Sequence, residues 1–458
     1  MHARRPTLGG PLAGGLTELG RLSARVWQLW TGNIWRMGAW FCAGFAVHAL
    51  GLLASAQLGA RYGTLAMIAF IIGVVATLVA LVMMIHSLEP ALRSPQTVDL
   101  AQPTPGALRI PSQVFAREAA VDVVASAVGP FLAVYALWGF VDDQISDLFL
   151  SNYTVQGLGG SENFSINFKV DRLPFYIALA ASAWVLRQVV SAITARRKVL
   201  TLALSGILLE AMWVFSFFVV LLMAVGEARP WLRTRAAYVG LQDAWRGWLD
   251  LLPDWSLLFG LSLPQALQRA VDVVIHTLLP GAWTALVLPL VWLALTATVL
   301  GWREFRGADV LAGTPLGGRV ANLPRPGGTR TRALTDFLTA DLRTKYLPVL
   351  QALRLVGQAG PSFVGVYLLL ATMVTAGQGL FEIVVTVLVG PLDIAGTLLF
   401  DPFLTLASGL VFTTIAIALY AAAFDQALSA ALARGRRETG STAGTPPPDG
   451  PRPAIAAS

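Results

Sequence analysis

The sequence predicts an all-α membrane protein, a polytopic transmembrane bundle of about eight spans with interfacial amphipathic helices. Three observations support this prediction. Only 13% of the 458 residues are charged, against roughly 25% in ordinary soluble proteins, and 55% are hydrophobic. The mean hydropathy is +0.65. Eight stretches are apolar over the 20 or so residues that a helix needs to cross a bilayer, and the single cysteine, Cys42, excludes a disulfide-stabilised fold.

The predicted spans are continuous apolar runs, which favours helices over the alternating strands of a membrane barrel. The clearest of them, from Thr64 to His86, contains no Asp, Glu, Lys or Arg. In chain order the predicted spans are 37–57, 64–86, 120–141, 174–194, 200–224, 272–300, 362–390 and 397–424.

Lys and Arg are distributed unevenly between the segments that join these spans. If the N-terminus is cytoplasmic, the cytoplasmic segments hold 24 of the 33 basic residues and the outer segments hold 8. Because cytoplasmic loops are enriched in Lys and Arg, we expect both termini in the cytoplasm. Residues 1–15 lack the apolar core of a cleavable signal peptide. Abundant Arg, Ala and Gly favour a bacterial plasma membrane, and the lipid bilayer is the expected partner.

The chain divides into five predicted regions. The first contains an amphipathic helix with Leu22 and Leu29 on its apolar stripe and Arg21 and Arg25 off it, as in a helix that lies in the membrane interface. The regions are 1–36; 37–300 with spans one to six and exofacial segments 142–173 and 225–271; the basic cytoplasmic linker and amphipathic helix 301–361; 362–424 with spans seven and eight; and the disordered cytoplasmic tail 425–458.

The two exofacial segments have different patterns. In the first, residues 164–170 alternate apolar and polar side chains, and 153–156 could pair with them across a glycine-rich turn as a small β-hairpin. The second is rich in Trp, and its spacing predicts a helix on the outer leaflet with Pro230 in its first turn and a turn near Pro253. Packing against neighbouring spans explains the aromatic stripe equally well.

A weak internal repeat joins the third and sixth spans. The pentapeptide at 120–124 recurs at 270–274, and Pro130 and Pro280 follow at equal distances, so that the offset is 150 residues. A real repeat would be inverted in the membrane, as in many transporters. Chance is the favoured explanation for so short a match in apolar sequence.

Three ionisable residues are predicted at membrane depth. Arg187 precedes the turn between the fourth and fifth spans by 8 residues, and Glu210 lies 10 residues into the fifth span. A rise of 1.5 Å per residue puts both about 12–15 Å from the inner edge, so we expect them to contact each other. The pair is either a substrate-facing or proton-handling site or an interhelical ion pair. His48 lies near the middle of the first span, where a helix contact is the more common role.

Two spans contain residues that interrupt helices. Pro280 and Pro289 lie in the sixth span, and Gly377 and Gly379 flank Gln378 in the seventh. We expect both helices to bend or break there and to face the bundle interior, because freed carbonyl groups must be satisfied away from lipid.

Motifs for ATP binding, zinc hydrolysis and serine-nucleophile chemistry are absent from the sequence, and the 4 His and 1 Cys show no metal-ligand spacing. No catalytic residue, cofactor or nucleic-acid partner is predicted. Transport or handling of a small or lipid-like solute, alone or as a complex subunit, is the leading functional hypothesis. The alternatives are a scaffold that docks a membrane or exofacial protein, and, third, a lipid-modifying enzyme that needs several of His48, His86, Asp122, His276 and Glu382 to converge.

Overall fold

The computed structural model describes residues 10–59, 61–92, 124, 131–132, 140–157, 172–194, 200–253, 262–300 and 360–442, with the side chains omitted near several of these limits. These residues are helical almost throughout and include no strand. We label the helices α1 (Gly10–Leu58), α2 (Gly63–Leu88), α3 (Phe140–Gln156), α4 (Leu173–Thr194), α5 (Leu200–Arg233), α6 (Ala236–Asp250), α7 (Leu263–Val299), α8 (Pro361–Val389) and α9 (Ile394–Thr442).

Seven of these helices are long and apolar enough to cross a membrane, within the part of the chain that the structure describes: α1, α2, α4, α5, α7, α8 and α9. They contain seven of the eight predicted spans to within one residue. The chain is therefore a multi-pass membrane protein. The remaining span, 120–141, falls mostly outside the described residues. Its described members Val124, Phe131 and Leu132 are buried in the core, and Phe131 packs edge-on against Trp292 of α7.

Helix α1 is one continuous helix of 49 residues, so the predicted interfacial helix and the first span are not separate elements. At 1.5 Å per residue it is about 74 Å long, far more than a bilayer core requires. Leu22 and Leu29 on its N-terminal half are buried inside the protein. Helix α1 packs against α9, which runs antiparallel to it: Arg25 contacts Asp425, and Phe41 adjoins Gly409.

Three predictions about local structure are wrong. Residues 153–156, the expected first strand of a hairpin, form the last turn of α3, where Thr154 Oγ1 donates to the carbonyl groups of two preceding residues; residues 164–170 lie outside the described part. Pro230 lies inside α5, three residues before its end at Arg233, and not in the first turn of the following helix. Helix α9 continues through 425–442 of the supposedly disordered tail, which is rich in Ala and other helix-forming residues.

Other expectations fall on residues outside the described part. These are the linker and amphipathic helix at 301–359, the tail beyond 442 and most of the first copy of the repeat. Of the second exofacial segment, α6 is a separate helix as predicted, and its chain turns at 251–253 next to Pro253.

Candidate functional site

A cavity of about 520 Å³ lies among helices α1, α2, α3, α8 and α9. Its wall on α1 extends from Phe41 to Leu53, which corresponds to about 18 Å along the helix. Volumes of 300–1,000 Å³ are typical of small-molecule sites. Most of the wall is apolar, and polar groups come from α3 and α9 in particular. The described polar and ionisable lining residues are His48, Thr77, Gln144, Asp147, Ser151, Thr154, Gln378, Asp401, Thr405 and Thr413.

The depth of the cavity follows from the register of α1 and α9. Phe41 of α1 adjoins Gly409 of α9, and the two helices run antiparallel. Asp401, eight residues before Gly409, is therefore level with Ala49, eight residues after Phe41. This position is about 12 Å from the Gln57 end of the first predicted span and about 6 Å from the start of the eighth at residue 397. Asp401 is exposed and lies seven residues after the start of α9 at Ile394.

Two carboxylates, Asp147 and Asp401, contribute to the cavity wall, whereas no Lys or Arg does so among its described residues. Within the described chain, the carboxylate of Asp401 forms no ion pair or hydrogen bond. Gln378, another lining residue, donates from Nε2 to Glu382 Oε1 at 3.1 Å. The side of the cavity formed by α8 and α9 is consequently acidic.

Helices α1 and α2 form a tightly packed wall of the cavity. A Cβ atom on Gly51 would come 2.8 Å from the Ala69 carbonyl oxygen, and one on Gly44 would come 2.4 Å from Ala80 Cβ. Small residues permit such close helix contact in membranes. His48 packs on Gly73 in this contact, and its Nδ1 is buried without a hydrogen-bond partner among the described residues. The predicted site residue His48 thus lines the cavity and also belongs to the helix interface.

Arg187 and Glu210 contact each other, as their equal depth predicts. Arg187 Nη2 lies 3.6 Å from Glu210 Oε1, and 19% and 10% of the two side chains are exposed. The pair joins α4 to α5, and neither residue is among those that line the cavity. The structure therefore brings His48, but not Arg187 or Glu210, to the cavity wall.

The predicted helix interruptions have different outcomes in α7 and α8. Helix α7 has π-helical turns at Val274–Leu278 and Trp283–Val287, each ending two residues before a proline, Pro280 or Pro289. A proline has no backbone N–H and cannot donate the usual helical hydrogen bond. The π-helical turn before each proline changes the local hydrogen-bond pattern so that the helix continues through it. Tyr367 of α8 donates its hydroxyl hydrogen to the Pro289 carbonyl group, which gives that carbonyl a partner.

The predicted break in α8 is wrong, because the helix runs unbroken through Gly377 and Gly379. Gly377 instead permits close packing: a Cβ atom there would come 3.1 Å from Phe412 Cε1 of α9. The expectation that α7 and α8 face the interior is also wrong for much of their length. Large apolar side chains such as Leu279 and Val387 are 64% and 74% exposed, as they would be toward lipid.

Sequence reasoning missed the acidic residues of the cavity. Asp401 was recognisable, because it lies inside the eighth predicted span and directly precedes Pro402. Asp147 lies in a segment predicted to be exofacial, and the sequence gives no sign that α3 packs beside the first span. Asp425 was missed as well, since it follows the predicted span by one residue; it pairs with Arg25 at 3.1 Å.

Within the described part of the chain, no three His, Cys, Asp or Glu residues are grouped as metal ligands. Comparison with protein-family models, curated proteins and solved structures gives no significant match.

Proposed function

We propose that this protein is a plasma-membrane carrier that binds a small solute in the cavity among α1, α2, α3, α8 and α9 and releases it on the other side. The observation that supports the proposal is a cavity of about 520 Å³ with ten polar or ionisable residues on its described wall, in a chain of long apolar helices. Both termini lie in the cytoplasm in this proposal.

The Arg187–Glu210 ion pair has a structural role in this proposal. It lies between α4 and α5 and not on the cavity wall. Arg stays protonated in proteins, so a satisfied pair of this kind is not suited to carry a proton. The pair connects the adjacent antiparallel helices α4 and α5.

Cysteine accessibility tests the proposal without knowledge of the solute. Cys42 is the only cysteine, so Cys42→Ala gives a background without thiols. Thr405→Cys and Ser151→Cys then each place one thiol on the cavity wall. A carrier that opens to either side in turn lets a membrane-impermeant methanethiosulfonate reach the same thiol in right-side-out and in inside-out vesicles.

Met373→Cys is the matched control, because Met373 is 61% exposed near the middle of α8 but does not line the cavity. A thiol in lipid stays protonated and reacts slowly. Reaction of both cavity thiols from one side only contradicts a carrier and indicates a binding pocket. Reaction from neither side contradicts a solute-accessible cavity.

One observation favours a second candidate function, a scaffold that docks an exofacial protein. Helix α6 exposes Leu241, Trp245 and Trp248, which are 72%, 36% and 47% exposed, and the two indole rings stack with centroids 5.2 Å apart. Aromatic side chains of this kind are enriched in interfaces and also at the lipid headgroup level.

The enzyme hypothesis has no comparable support. His86 lies 3.0 Å from Glu89, Glu382 accepts a hydrogen bond from Gln378, and His276 is exposed on α7. Of the residues that would have to converge, His48 alone lines the cavity among those that the structure describes.

A further inference from the structure

We propose that the solute of this cavity is an uncharged amphiphile, a molecule with a hydroxyl or amide N–H donor on an apolar body. This inference rests on the proposed carrier function and names its substrate class. Three features of the cavity support it: a polar wall on α3 beside an apolar wall on α1 and α2, a buried acceptor without a donor, and the placement of the charged groups.

Helix α3 gives the cavity a polar wall and packs against α1. Its polar lining residues follow one another at intervals of three, four and three residues, so they share one helical face and extend over about 15 Å. They are Gln144, Asp147, Ser151 and Thr154, and Leu150 is the one apolar residue of α3 in the described lining. A solute in the cavity therefore has a row of hydrogen-bonding groups along one side.

Helices α1 and α2 give the cavity a mainly apolar wall. His48 and Thr77 are its polar exceptions, and Thr77 donates to the Gly73 carbonyl group of its own helix at 3.4 Å. Covering this wall with hydrocarbon is favourable because it removes apolar surface from water, so the solute needs an apolar body. The large apolar side chains of this wall are Phe41, Phe45, Leu52, Leu53, Leu81 and Met84.

One acceptor on the polar wall lacks a donor. Gln144 Oε1 is buried and accepts no hydrogen bond from the described residues. A buried amide oxygen in this state is unfavourable. An O–H or N–H group of the solute would satisfy it directly, and water is the alternative donor.

The charged groups of the cavity are not buried counter-charges for an ion. Asp147 already has an interaction partner, and Asp401 is exposed near the start of α9. No Lys or Arg lines the described part of the wall. An ion of either sign that entered this mainly apolar space would lose water without gaining a buried partner, which is unfavourable. An uncharged solute avoids that loss.

The test uses the full-length Cys42→Ala/Thr405→Cys protein in vesicles and octanamide, which joins two N–H donors to an apolar chain. N,N-dimethyloctanamide keeps the chain and the carbonyl group but has no donor. Each compound is added before methyl methanethiosulfonate, an uncharged reagent, and the rate of thiol modification is measured. We expect octanamide to slow the modification at least about fivefold more than the dimethyl compound, the effect of one net hydrogen bond.

Three further probes at equal concentration test the charge and the apolar body. Octyltrimethylammonium and octanesulfonate carry a charge on the same chain, and acetamide keeps the donors without the chain. We expect all three to protect the thiol less than octanamide does. Equal protection by either ion overturns the uncharged class, and equal protection by acetamide overturns the need for an apolar body.

Gln144→Leu and Gln144→Glu identify the acceptor. The Leu variant removes the amide and is expected to abolish the difference between octanamide and its dimethyl derivative, whereas the Glu variant keeps an acceptor and the difference. Tyr153→Phe is the matched control, because it removes a polar group from α3 that is 38% exposed and does not line the cavity. A variant that only disturbs packing affects both compounds alike, so their ratio reports on the acceptor.

Equal protection by octanamide and its dimethyl derivative, protection by no probe, or loss of the difference in Tyr153→Phe overturns the inference. If Gln144→Leu does not fold, the two amides compared in the Thr405→Cys protein decide the question. These outcomes leave the carrier proposal intact as long as the thiol reacts from both sides. Conversely, selective protection by octanamide with access from one side only supports a binding pocket and contradicts transport.

Discussion

Arg25 and Asp425 form an ion pair between the N-terminal half of α1 and the C-terminal half of α9, with Arg25 Nη2 3.1 Å from Asp425 Oδ2. Arg25 also donates to the Ala91 carbonyl group at 2.9 Å, so one guanidinium connects α1, the turn that follows α2 at Glu89–Ala91, and α9. Trp30 strengthens the same contact by donating from Nε1 to Thr414 Oγ1 at 2.9 Å. Residues that are 400 positions apart thus hold together the first and last helices.

Asp425→Asn is expected to lower the free energy of unfolding by about 3–5 kcal/mol, because it leaves the Arg25 guanidinium buried without its counter-charge. The side chains are only 14% and 4% exposed, so water compensates little. Thermal unfolding of the purified protein in detergent measures the effect. Arg21→Gln is the matched control, since Arg21 is exposed on the same helix. Equal melting temperatures for Asp425→Asn and Arg21→Gln would contradict a stabilising role.

The sequence was sufficient to predict contacts between neighbouring helices but not between distant ones. The short turn between α4 and α5 fixes their register, so equal distances from that turn placed Arg187 beside Glu210. No such constraint relates Arg25 to Asp425. Asp425 lies one residue beyond an apolar run and was assigned to the tail, although it is 3% exposed in the folded chain.

The fold was predictable where length and apolar content alone determine it. Apolar runs located seven of the helices, because a bilayer-spanning segment has few alternatives to a helix. The predicted spans lie inside these helices to within one residue, but α1 and α9 extend well beyond them. The cavity was not predictable, since it depends on how five helices pack. Gly377 is an example. A glycine in a span can mark either a helix break or a close contact with another helix, and only the structure shows that Gly377 packs closely against Phe412 of α9.

Glu210→Gln is expected to lower stability by about 1–3 kcal/mol, because it removes a carboxylate charge that pairs with a mostly buried Arg187. Replacing both partners by apolar residues, Arg187→Met with Glu210→Leu, is expected to restore most of that loss. Melting temperatures of the single and double variants give the comparison. If Glu210→Gln instead left stability unchanged and altered the reactivity of Thr405→Cys, the pair would have a role in the solute pathway and the structural assignment would be wrong.

Gly51→Ala is expected to destabilise the protein by about 1–3 kcal/mol through overpacking of α1 against α2. The added Cβ would meet backbone atoms, the Ala69 carbonyl oxygen at 2.8 Å and Gly73 Cα at 2.9 Å, and these cannot move without displacing a helix. Gly379→Ala is the control, because nothing lies within 4 Å of its Cβ position. We expect that variant to be as stable as the parent or slightly more stable, since Ala favours an unbroken helix. A larger loss for Gly379→Ala than for Gly51→Ala would contradict both the packing and the continuous α8.

The proposed orientation predicts which side of the membrane exposes α6. Leu241, 72% exposed on that helix, is replaced by Cys in the Cys42→Ala background, and Ser441→Cys near the end of α9 is the control on the opposite side. We expect an impermeant maleimide to label Leu241→Cys in intact cells and Ser441→Cys only after lysis, because the basic residues concentrate on the side of both termini. The reverse labelling pattern would show that the bundle has the opposite orientation in the membrane. The cavity and its acidic groups would then keep their depth along α1, but the end of the cavity near Leu53 would face the cytoplasm, and solute binding from outside would have to begin at Phe41.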